Sequence, residues 1–178
     1  MKTELVISDV HTPYHDEDAI TLLIKLGKVI DPDILYILGD FFDFYQISFF
    51  PHDPLRMSLQ EEMDQGVSVL KRLRNAFPRA KVYFRPGNHE MRLMKFFWQN
   101  PNAASLRSSR FEEQVPLKAL DIELVDGGPS RQPHKVGKLN HFHGDELRMG
   151  MGTANVARTT YFKTGANVIT GHWHRPDR

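Results

Sequence analysis

A repeated punctuation constrains this chain more than any other feature. Short β-branched runs each stop at a polar segment rich in glycine, aspartate or histidine, and amphipathic stretches lie between them. Leu5-Val6-Ile7 gives way to Asp9 and His11, residues 34–38 to Gly39-Asp40, and residues 81–85 to Gly87-Asn88-His89-Glu90. Residues 136–142 run into His143-Gly144, and residues 167–170 into Gly171-His172-Trp173-His174. Strands alternating with helices predict an α/β layered fold, read as one domain over residues 1–178.

The helices announce their own ends. Asp16 is an N-cap candidate, with Glu17 and Asp18 placed where the helix dipole favours acid. Ala19, Leu22, Leu23, Leu26, Val29 and Ile30 follow at helical spacing until Asp31-Pro32. Ser58-Leu59-Gln60-Glu61 fits a capping box, and Leu59, Met63, Val67, Leu70, Leu73 and Phe77 form one stripe that Pro78 ends. Residues 91–99 read as a short helix stopped by Asn100-Pro101, and residues 153–164 as another. Between them lie a strand at 122–125 and the turn signal Asp126-Gly127-Gly128-Pro129.

Composition narrows the chemistry. With 178 residues the chain can bury roughly 70% of its unfolded surface, so it needs no covalent staple. It has no cysteine, which removes disulfides, thiolate catalysis and cysteine zinc sites. Lys+Arg 23 against Asp+Glu 22 leaves a net charge of +1, which disfavours a mainly electrostatic nucleic-acid binder. No apolar run approaches the ~20 residues of a membrane span. The N-terminus lacks a secretory pattern, so the expected location is cytoplasmic. Nine histidines remain to be explained.

Ligands of open α/β sheets bind outside the carboxyl ends of the strands. Asp9, His11, Asp40, Asn88, His143, His172 and His174 would therefore converge on one rim, supplying only nitrogen and oxygen donors. That is more than one ion needs and suits two ions sharing a carboxylate. Imidazole with carboxylate favours first-row transition ions over calcium or magnesium. Two such ions about 3.5–4 Å apart clamp an in-line displacement at phosphorus and bring a bound water's pKa toward ~7.

The ordered set Asp9-Val10-His11, Gly39-Asp40-Phe41-Phe42-Asp43, Gly87-Asn88-His89-Glu90, His143-Gly144 and Gly171-His172-Trp173-His174 resembles the calcineurin-like metallophosphoesterase superfamily. The resemblance implies a β-sandwich of two mixed sheets flanked by helices. It implies two divalent ions, manganese first, with iron, zinc, cobalt or nickel as alternatives. Asp9, His11 and His174 would hold one ion, Asn88, His143 and His172 the other, and Asp40 would bridge them. His89 would protonate the leaving oxygen or steady its charge, oriented by a hydrogen bond that Asp43 accepts from it. The chain ends at Arg178, four residues beyond the last motif. Relatives continue with further strands, so the resemblance implies a second sheet shortened here and completed by another subunit, or a truncated sequence.

The expected function is hydrolysis of a phosphate mono- or diester by metal-bound hydroxide. A metal-dependent nuclease and a metal-binding scaffold without turnover are the alternatives. Intact His89 and Asp43 argue against the scaffold. His15, His52 and His134 match no motif and read as loop residues, and His141 as supporting or merely adjacent to His143. Glu90 reads as a tie for its loop. Arg92 could reach a phosphate or be solvated or paired with an acid. Phe41, Phe42, Phe44, Tyr45, Phe49 and Phe50 crowd a segment expected to be a loop. They could pack beneath it, form a homo-oligomer contact or stack on a nucleobase, and the first two are favoured.

Overall fold

The computed structural model describes residues 2–49, 51, 53, 55–125, 131–150 and 154–174. Strands β1 (Glu4–Ile7), β2 (Ile34–Ile37), β3 (Lys81–Phe84) and β4 (Ile122–Leu124) pair in that order, all parallel. Parallel neighbours need long crossovers, and α1 (Glu17–Ile30) and α2 (Leu59–Ala76) supply the first two. A second sheet holds β5 (His134–Val136), β6 (Leu139–His141) and β7 (Val168–Ile169), antiparallel and then parallel. Further helices are α3 (Glu90–Trp98), α4 (Pro101–Ala104), α5 (Phe111–Gln114) and α6 (Val156–Thr164). Among the described residues no helix is long and apolar enough to cross a membrane.

Strand β2 shows why the layers form, because all of its residues are buried. Alternate side chains of a strand point to opposite faces. Leu35 and Ile37 join Ile20, Leu70, Leu73 and Phe77 of the helices in the larger core, while Ile34 and Tyr36 meet Val136 and Ile169 of the second sheet. Each fully buried Leu or Ile is worth about 1.5–3 kcal/mol. The expected α/β architecture of two sheets flanked by helices is therefore present.

Helix signals read from the sequence are met at the caps. Asp16 accepts the N–H groups of Asp18 at 2.9 Å and Ala19 at 3.0 Å, and Ser58 with Glu61 closes a full capping box. Two elements differ from expectation. Residues 136–142 are not one strand but the end of β5, a turn at Gly137 (φ 59°) and β6. The face of α1 is also rotated. Ile20, Leu23, Ile24 and Gly27 meet the core, leaving Leu22 66% and Val29 84% exposed. Apolar residues surround too much of α1 for spacing to select a face. Gly27 decides it, because the Phe77 ring occupies the space a Cβ would need. The turn expected at 126–129 lies outside the described residues.

Beyond the strands, the loops stay paired. Asp9 N–H donates to Gly39 O at 3.1 Å, His11 N–H to Asp40 O at 3.0 Å and Thr12 N–H to Phe41 O at 2.8 Å. Glu90, fully buried, ties the β2 and β3 loops together. Its carboxylate accepts the N–H groups of Asp40 (3.0 Å), Phe41 (2.8 Å), Phe42 (3.0 Å) and Gly87 (2.7 Å). Glu90→Gln turns one acceptor into a donor facing two buried donors. An unmet buried donor costs about 1–3 kcal/mol, so the melting temperature should fall by roughly 2–12 °C. Thermal denaturation unchanged from the parent would rule out this tether.

Candidate metal centre

The tethered loops bring together the motif residues. Oxygen and nitrogen atoms of Asp9, His11 and His174 lie within 4.8 Å of one another, and so do those of Asp40, His143 and His172. A third such group, His11, Asp40 and His89, places Asp40 beside both sets. Asn88 follows Gly87 at the tip of the β3 loop, with its Oδ1 buried. Six of the seven sequence-derived ligand candidates are thus brought together, and Asn88 lies one residue before His89 on the adjoining loop.

The backbone bends unusually to achieve this. Asp9 (φ 55°), His11 (50°), Asp40 (49°), His172 (68°) and His174 (51°) all sit in the left-handed region. Each such residue costs on the order of 1 kcal/mol, and residues held there cluster at functional sites. Glycines make the close approaches possible. A Cβ on Gly87 would meet the Asp40 side chain and stand 2.5 Å from its backbone nitrogen, and one on Gly171 would overlap Ser8 and Asp9.

Two of the imidazoles are aimed by a bond on the far side of the ring. His143 Nδ1 donates to Leu38 O at 2.8 Å, and His11 Nδ1 donates to the Asp43 carboxylate at 3.0 Å. Both direct Nε2 inward. His11 Nε2, His143 Nε2 and Asn88 Oδ1 are buried with no hydrogen-bond partner. His143 Nε2 lies only 3.0 Å from Asp40 Oδ2 without hydrogen-bond alignment. Buried polar atoms are rarely left so. Buried nitrogen and oxygen atoms left unpaired beside carboxylates are the donor set a divalent cation takes once the imidazoles give up their protons, so these residues fit metal.

Asp43 does more than expected. His89 Nδ1 donates to its backbone carbonyl at 2.8 Å, with the carboxylate oxygen 3.2 Å away, while that carboxylate accepts from His11. Arg92 pairs with no acid. It donates to the same carbonyl at 2.9 Å and reaches His89 Nε2 at 3.0 Å. Both ring nitrogens of His89 are thus engaged by protein, which sets it apart from the ligand candidates. Glu146 was not singled out by the sequence reading. It accepts the N–H groups of His143 (3.3 Å) and Gly144 (2.7 Å) and pairs with buried Arg85 and Arg131. Its signal was available, since Glu146 follows His143 by three residues as Glu90 follows Gly87, the spacing of a capping box.

Histidines outside the motifs lie elsewhere. His15 pairs with Glu17 at 3.3 Å, His134 bonds the Tyr36 hydroxyl at 3.0 Å, and buried His141 stacks on Tyr36 beside Glu4. His134 belongs to β5 rather than a loop. His52 lies outside the described residues. The aromatic cluster divides: Phe41, Phe42 and Phe44 are fully buried core, Tyr45 accepts the Asp53 N–H, and Phe49 is 99% exposed. Phe50 lies outside the described residues.

Charge follows geometry. Burial opposes ionisation of Asp40 and Asp43, but the imidazoles beside them outweigh it and hold both below the usual carboxylate range. Burial pulls His143 down, yet Asp40 dominates and lifts it from 6.5 to about 9. Burial and the neighbouring His143 push His172 below the ordinary imidazole range, keeping its lone pair available. The protonated His143–Asp40 pair contributes stability that is fully present below 6.5 and lost as the pH rises through about 9. A metal ion on Nε2 must displace that proton. Manganese binding should therefore release a proton and tighten between pH 6.5 and 9. Calorimetry in buffers of differing ionisation enthalpy reads the proton, and a pH-independent affinity would exclude His143 as its source.

No curated protein matches the chain closely enough to count as a relative. The family model for calcineurin-like phosphoesterase matches residues 4–176, a span that takes in both sheets and every motif residue of the rim. That match bears out the resemblance carried by the five motifs: the chain belongs to the calcineurin-like phosphoesterases, which are metal-dependent hydrolases of phosphoric esters.

Proposed function

We propose that this protein hydrolyses a phosphate ester at a centre of two divalent transition ions, with manganese the first candidate. The observation that carries the reading is the inward set of unpaired buried donors, His11 Nε2, His143 Nε2 and Asn88 Oδ1, around Asp9 and Asp40. Asp9, His11 and His174 would hold one ion, Asn88, His143 and His172 the second, with Asp40 between them. Two such ions supply charge neutralisation at the phosphate and acidification of the attacking water. A soluble cytoplasmic setting is part of this reading and accords with a chain free of cysteine.

The protein's own groups handle the leaving oxygen. The bond from His89 Nδ1 to the Asp43 carbonyl fixes the ring, so Nε2 is the atom that can deliver a proton. Burial lowers the His89 pKa, but Asp43 and Asp40 more than compensate and favour the protonated ring. A proton on Nε2 turns the Arg92 contact repulsive, which frees that guanidinium for a phosphate oxygen.

Asp40→Asn should lose both ions, or at least the one shared with His143 and His172, when metal content is measured after gel filtration. Two ions retained per chain at parental affinity would contradict the shared carboxylate. His89→Asn should keep its metal and lose about 10²–10⁴-fold in rate on alkyl esters. The loss should shrink for nitrophenyl esters, whose leaving oxygen departs without a proton. Equal losses on both would leave His89 a charge-stabilising role alone.

A further inference from the structure

Helix α3 starts at the metal rim and runs away from it, so its exposed face meets whatever lies beyond the scissile phosphorus. Asn88 lies in the turn just before the helix and Lys95 about two turns further on, and because both line the same cleft a line from one to the other runs along the helix. Arg92 and Phe96 flank that line on one side and Met91 and Trp98 on the other. The surface follows this division. A cavity of about 450 Å³ lies on the Arg92–Phe96 side and one of about 460 Å³ on the Met91–Trp98 side, and Asn88 and Lys95 line both.

The two cavities have the same chemistry. Each offers an exposed ring, Phe96 at 41% in one and Trp98 at 52% in the other. Phe49 adds a second ring to the first. Each also carries positive charge. In the second cavity Asp145 and Glu146 are neutralised by Arg131 and Arg85, which leaves Lys95 and Arg148 without a carboxylate partner among the described residues. A phosphomonoester has one organic group and would fill one cavity. A diester has two, one on each side of an anionic phosphorus.

We infer that the substrate is a phosphodiester whose phosphate sits at the Asn88–Lys95 line and whose two ester groups, nucleoside-like and aromatic, lie one in each cavity against Phe96 and Trp98. The inference rests on the hydrolase reading above and names its substrate class. Hydrolysis forms one P–O bond from water and breaks one ester P–O bond. The departing oxygen takes a proton, giving a phosphomonoester and an alcohol.

The test uses the manganese-loaded full chain with thymidylyl-(3′→5′)-thymidine and thymidine 5′-monophosphate. The dinucleotide should have the higher kcat/KM. Stacking on one aromatic ring is worth about 1–3 kcal/mol, so Phe96→Ala and Trp98→Ala should each raise its KM roughly 5- to 150-fold with kcat little changed. For the monoester, only one of the two variants should raise KM, since one base fills one cavity. Should either alanine variant fail to fold, Phe96→Leu or Trp98→Leu keeps apolar volume while removing the ring. A preference for the monoester, or dinucleotide KM values unmoved by both variants, overturns this inference and leaves the hydrolase reading intact. Turnover of neither ester, nor of bis(4-nitrophenyl) phosphate, overturns the hydrolase reading and this inference with it.

Discussion

The carboxylate of Glu90 accepts four backbone N–H groups, three from the loop after β2 and one from the loop after β3, in a fully buried position. These groups would otherwise be orphaned, because a loop this deep has neither water nor ladder partners. Burial and the Asp40 charge both press Glu90 toward its neutral form, and the backbone dipoles oppose them. Asp40 and the Asn88–His89 turn inherit their positions from this junction. Asp40 and its neighbours can take left-handed and turn conformations only because their amides are held elsewhere.

A second carboxylate repeats the arrangement on the other sheet. Glu146 gathers the amides of His143 and Gly144 and is itself neutralised by Arg85, whose side chain is 1% exposed, and by Arg131. Arg131 also donates to Pro86 O at 2.9 Å, and Arg85 to Arg131 O at 2.9 Å, so the pairs bridge the β3 end to the His143 loop. Removing one partner from such a network leaves a buried charge uncompensated, which is far costlier than the net worth of the pair. The two sheets thus hold the two halves of the site through buried ion pairs and hydrogen bonds as well as through apolar packing.

The functional consequence is division of labour within a few ångströms. Asp43 uses its carboxylate to aim His11 and its carbonyl to aim His89, so one residue serves a metal-ligand candidate and the proposed proton donor together. Arg92 touches that same carbonyl and opens onto the cleft along α3. In the proposed reading, chemistry at phosphorus and recognition of the organic groups would share a single short helix.

Legible in the sequence by itself were β1 to β4 and β7 with α1, α2, α3 and α6 in order, the caps at Asp16 and Ser58, and the candidate residues of the rim, but not α4, α5 or the β5–β6 hairpin. The legible features rest on local rules, namely periodicity, capping geometry and polar residues placed just past strand ends. Glu90 as a loop tie was legible for the same reason, being three residues from the amide it accepts at Gly87. Other features depend on partners distant in the chain. The face α1 turns inward was set by the Phe77 ring against Gly27, 50 residues away in sequence. Burial of Phe41, Phe42 and Phe44 but not Phe49 was decided by which rings the α2 and β3 surfaces could cover. The left-handed backbone at five metal-ligand candidates was decided only by tertiary structure. No local preference puts them there, and hydrogen bonds between loops that never meet in sequence hold them against the strain.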